Sequence, residues 1–128
     1  MLKFVRTPIA AVMFVCLLSS LILRVQATDP PVKSIKQLMA SGFVRPDTAG
    51  RKALKGTASR EELSELLKIS QNLAGQTPPK GDKTEWSKRT KELISALQDG
   101  VDQKEGAVER IKKAVRCVDC HRTHRAAQ

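Results

Sequence analysis

Ser59-Arg60-Glu61-Glu62-Leu63-Ser64-Glu65-Leu66-Leu67-Lys68-Ile69-Ser70-Gln71-Asn72-Leu73-Ala74-Gly75 is a helix written out with both of its ends. Ser59 and Glu62 form a capping box, in which the serine hydroxyl accepts from the Glu62 amide and the glutamate reaches back. Leu63, Leu66, Leu67, Ser70 and Leu73 then recur at helical spacing, so one face is apolar and the other charged. Gly75 marks the stop, and Thr77-Pro78-Pro79-Lys80-Gly81 is a turn that no helix crosses.

The same grammar repeats on both sides. Downstream, Asp82 and Glu85 repeat the capping pattern ahead of Trp86, Thr90, Leu93, Ile94 and Leu97, with Gly100 as the stop. Asp102 is then the candidate cap of a last helix whose face, Ala107, Val108, Ile111, Ala114, Val115 and Val118, leads into two cysteines. Upstream, Val32, Ile35, Leu38 and Met39 follow Pro30-Pro31 at helical spacing, and Pro46 closes that stretch. Pro46, Gly50 and Gly56 read as a linker. No segment shows strand periodicity. These elements predict an all-α chain, an antiparallel four-helix bundle of up-down-up-down order.

The first 27 residues read as a secretory leader. Lys3 and Arg6 precede the apolar run Pro8 to Leu23, and Val25-Gln26-Ala27 offers a cleavage site, so the mature domain is expected at 28–128. The run falls short of the ~20 apolar residues of a spanning helix, so no stable membrane insertion is expected after cleavage. Met13-Phe14-Val15 before Cys16 lacks the small residue of a lipobox. The expected location is the periplasm.

Of the 128 residues, 23 are Lys or Arg and 13 Asp or Glu, a formal charge of +10. Cleavage removes Lys3, Arg6 and Arg24 and no acid, so the mature chain stays basic. Phe43 and Trp86 are its aromatics, Met39 its methionine, Cys117 and Cys120 its cysteines. This excludes a multidomain enzyme and a disulfide-dense scaffold.

The chemistry lies in Cys117-Val118-Asp119-Cys120-His121. Two cysteines three apart share a helical face, so both thiols reach the vinyl groups of one haem, and His121 projects toward the iron as proximal ligand. Secretion agrees, since haem c is attached outside the bacterial cytoplasm. Three other readings stay open: a redox disulfide, a zinc site adding His124, and coincidence. The disulfide reading wants a preceding strand. The zinc reading must converge four donors within eight residues, where such sites normally use a long loop.

Met39 is the candidate sixth ligand, or a core filler. His124 follows His121 too closely to reach the opposite haem face, so it is expected at the haem edge or in solvent. Arg122 and Arg125 are surface charge unless a haem propionate lies near. No general-base pair and no phosphate loop is present, so no enzyme is expected.

The helical pattern, Leu38-Met39, Trp86-x-x-Arg89 and Cys117-x-x-Cys120-His121-x-x-x-Arg125 together resemble the cytochrome c-prime superfamily, especially its methionine-ligated, low-spin branch. Short bacterial cytochrome c-like proteins with Pro-Pro-Lys-Gly-Asp before a Trp (here Pro78 to Asp82, then Trp86) are similar too. The resemblance spans Val32 to Arg125. It implies thioether bonds at Cys117 and Cys120, proximal His121, Met39 as sixth ligand and Arg125 paired with a propionate, in a homodimer-forming fold. Two departures stand out: the chain is short, and His124 replaces an aromatic.

The function expected is a monohaem electron carrier. Lys112, Lys113, Arg116, Arg122 and Arg125 near the motif form either a docking surface for an acidic redox partner or a solvated face. If Met39 misses the iron, a five-coordinate haem would instead bind a small gas such as NO or CO for sensing or scavenging. Nucleic acid is not an expected partner, because acids interleave with the basic residues.

Overall fold

The computed structural model describes residues 33–126, and among them every regular element is helical. Residues 1–27, read as a leader from the sequence, and Val32 lie outside the described residues. Helix α1, Ile35–Met39, starts at a capping box of Ser34 and Gln37. It passes directly into a π-helical turn, Ala40–Val44, which Arg45 ends in extended conformation before Pro46. Helix α2 is Ala49–Lys55, inside the stretch that reads as a linker.

Helix α3, Arg60–Ala74, begins at the expected capping box. The Glu62 amide donates to Ser59 Oγ over 3.2 Å, and the Ser59 amide to the Glu62 carboxylate over 2.9 Å. All five residues of its stripe are buried. Helix α4, Lys83–Val101, is capped by Asp82, whose Oδ1 accepts from the amides of Thr84 and Glu85. Glu85 does not reach back; Arg89 holds it instead. Trp86, Thr90, Leu93 and Leu97 are buried as expected, with Ala96 buried and Ile94 only half-buried.

The expected last helix is two. Asp102 closes α4 rather than capping the next helix, and Gly106 is the N-cap of α5, Ala107–Ala114. The chain turns extended at Arg116 before α6, Cys117–His124. The break swings the inward face. Ile111 and Val115 stay in the core, while Val118, which would follow them on a straight helix, is 63% exposed.

Leu63, at the start of α3, sits against Gly100 near the end of α4, and Leu73, at the end of α3, packs on Trp86 at the start of α4. The two longest helices are therefore antiparallel. The main core joins Ala53, Leu63, Leu66, Leu67, Leu93, Leu97, Ile111 and Val115 from α2 to α5 and the segment after it. Burial of such leucines contributes roughly 1.5–3 kcal/mol each. A second, smaller cluster of Leu38, Leu73 and Trp86 lies apart from it, and α6 packs there through α4.

Candidate functional site

Helix α6 carries the motif. Cys117, its first residue, is exposed, and Cys120, one turn on, is half-buried; both thiols are free. Cys120 packs against Leu38, Leu73 and Trp86 together with Ile35, Met39 and Ile69. Burial pushes the Cys120 thiol up from its ordinary value, the nearby Arg89 guanidinium opposes this, and Cys117 and Glu85 add to the rise. His121 is exposed at the same end of the helix.

The spacing of Cys117, Cys120 and His121 thus becomes a single helical turn. Met39 comes to the same small cluster as Cys120, although the two are far apart in the chain. Arg125 is exposed and lies just past α6, where its amide donates to the His121 carbonyl over 3.1 Å.

Of the two places expected for His124, the haem edge and solvent, its burial excludes solvent. It is 2% exposed, and its ring meets Trp86 edge-on. Nδ1 lies 3.1 Å from the Lys80 carbonyl, which can only accept, so Nδ1 carries a proton. The Pro78-to-Asp82 turn is shaped for this contact. Gly81 has φ +83°, and a Cβ there would stand 2.8 Å from His124 Nδ1 and from the Thr123 carbonyl. The helical spacing of His124 from Cys120, four residues, was the available signal, since both face inward.

The zinc reading loses a donor here, because the His124 ring is turned into Trp86 and Lys80. Among the described residues no group of three or more His, Cys, Asp and Glu side chains is arranged to hold a metal ion. The disulfide reading wanted a strand before Cys117; the regular element before it is helix α5.

The donor set fits a covalently held haem: two free thiols on one turn and an exposed imidazole beside the second. Trp86 Nε1 and His124 Nε2, next to Cys120, are also buried without hydrogen-bond partners. Surface grooves among Arg60, Glu61, Ser64 and Val101, and among Ser41, Asp47, Thr48 and Glu62, contain no motif residue. A third, along Glu85, Lys88, Arg89 and Glu92, runs on the helix against which α6 packs.

Of the five basic residues near the motif, Lys112 pairs with Glu109 and Arg116 with Asp119. Lys113, Arg122 and Arg125 form no salt bridge among the described residues. Arg89 and the Lys80 carbonyl are the groups beside the site that sequence reading did not assign a role.

Comparison with family models, curated proteins and solved structures finds no match to this chain.

Proposed function

We propose that this chain is a periplasmic monohaem cytochrome of the c type that carries electrons and has no substrate chemistry of its own. The observation that carries the reading is helix α6, which presents Cys117, Cys120 and His121 within one turn, both thiols free. Cys117 and Cys120 would hold haem c through two thioether bonds, with His121 as proximal ligand and Met39 as the sixth. The group supplies, when bound, an iron that cycles between Fe(II) and Fe(III).

The protein's part is burial, ligation and orientation. Met39 sits at the junction of α1 and the π-turn, the kind of helix irregularity that recurs at functional sites. Its place in the cluster that also holds Cys120 supports its assignment as a ligand. Arg125 is the cation that the resemblance offers to a propionate. Lys113, Arg122 and Arg125, which form no salt bridge among the described residues, support docking of an acidic redox partner by charge complementarity. The four-helix reading is kept as part of the proposal: α1 with its π-turn, α3, α4, and α5 with α6 supply the four legs, and homodimerisation through an exposed face belongs to the same proposal.

Covalent haem is the test. Protein matured in cells that attach haem c should keep its haem through acid–acetone extraction and on denaturing gels. The double variant Cys117→Ser/Cys120→Ser should lose it, whereas a wild type that releases its haem contradicts the proposal.

A further inference from the structure

We propose that Trp86 and Arg89, one helical turn apart on α4, form a carboxylate-binding edge that takes a haem propionate; this assignment rests on the haem reading above. Haem carries two propionates, so Arg125 would account for at most one of them. Trp86 is 4% exposed, yet its indole N–H, which can only donate, has no partner. A buried donor left so is destabilising. It therefore calls for an acceptor, and it lies in the cluster that holds Cys120, one of the two anchoring thiols.

Arg89 supplies the charge. Three residues after Trp86, it is that residue's neighbour on the surface of α4, the helix with which α6 is in contact.

The guanidinium is also available. Arg89 Nε and Nη2 donate to a single oxygen, Glu85 Oε1, over 3.1 and 3.0 Å. That leaves the rest of the planar fork without a partner from Glu85. The pair is a half-exposed i,i+4 contact, a weak class of ion pair, so exchanging Glu85 for a propionate costs little. A carboxylate held by an indole N–H and one guanidinium is satisfied in charge and in hydrogen bonding. The other ionisable groups facing this edge are Glu85, Lys88 and Glu92 on α4 and His124 on α6.

The experiment is a spectroelectrochemical titration of the haem-loaded protein, with reduction potential followed against pH. An ionising propionate gives a pH-dependent region whose position reports its pKa. Arg89→Leu should move that region up by about 1–3 pH units, the effect of removing an opposite charge in contact. Arg89→Lys should move it less. Trp86→Phe keeps the ring against His124 and removes only the N–H, and should move it in the same direction by a smaller amount. Haem-loaded Arg89→Leu and Trp86→Phe that titrate as wild type overturn the assignment alone. A wild type with no covalent haem overturns it together with the reading on which it rests.

Discussion

The imidazole of His124 meets the indole of Trp86 edge-on, with ring centroids 5.3 Å apart and planes at 76°. This contact joins the end of α6 to the start of α4, and the bond from His124 Nδ1 to the Lys80 carbonyl ties it to the turn before α4. His124, together with Cys120, thus holds the helix that carries Cys117, Cys120 and His121 against the start of α4.

His124→Ala removes the aromatic pair, the hydrogen bond and the ring volume. The first two together account for about 1–3 kcal/mol. We expect a lower urea midpoint by that order. His124→Phe, which keeps the stacking but leaves the Lys80 carbonyl unpaired, should lose about 1 kcal/mol. An unchanged midpoint for the alanine variant would show that the contact does not hold α6.

Gly81 and Gly75 should respond in opposite ways to the same substitution. At Gly81 the left-handed backbone alone costs an alanine roughly 1–2 kcal/mol, and its Cβ would press on His124 and Thr123. At Gly75 φ is −74° and the nearest neighbour of a Cβ is the Asn72 carbonyl at 3.6 Å. Gly75→Ala should be neutral or stabilise by about 0.4–1 kcal/mol. Thermal unfolding of the two variants gives the comparison directly.

Acid should weaken the fold through its caps and surface pairs. The Glu85 amide, followed by that of Thr84, holds the Asp82 carboxyl below its ordinary value. Lys52 does the same for Glu62, and Lys104 for Asp99. A carboxyl depressed on folding adds stability that is complete above the ordinary range near ~pH 4 and is lost as pH falls through the folded value. Asp82→Asn keeps an acceptor at the cap and removes the charge. Its urea midpoint should lie below wild type at pH 7, and the gap should close by about pH 2. A gap independent of pH would contradict this origin.

Helices α3 and α4 were legible because their causes are local: a capping box, an aspartate cap, a leucine stripe and a Pro-Pro turn between them. Helix α2 was hidden because Gly50 resembles a breaker. Its reason is tertiary: a Cβ there would stand 2.5 Å from the Gly42 carbonyl, where α2 and the π-turn touch. The break at Arg116 has no proline or glycine to announce it. It arises from packing that keeps Val115 in the main core and turns Cys120 and His124 toward Trp86. The motif itself was fully legible as spacing. The inward face of His124 was signalled only by its four-residue spacing from Cys120, and its partner, a carbonyl 44 residues away, was not legible at all.

The proposal that residues 1–27 are a cleaved leader makes its own prediction. Mature protein isolated from the periplasm should begin at Thr28, as N-terminal sequencing or intact mass would read. A chain still starting at Met1 would contradict cleavage after Ala27.

The most direct measurement is the absorption spectrum of the haem-attached protein, oxidised and reduced, with carbon monoxide added to the reduced form. A low-spin spectrum unmoved by the gas, converted by Met39→Ala to a high-spin form that binds it, is the expected result. A high-spin wild type that takes up carbon monoxide at once would remove Met39 from the iron and contradict the electron-carrier assignment in favour of gas binding.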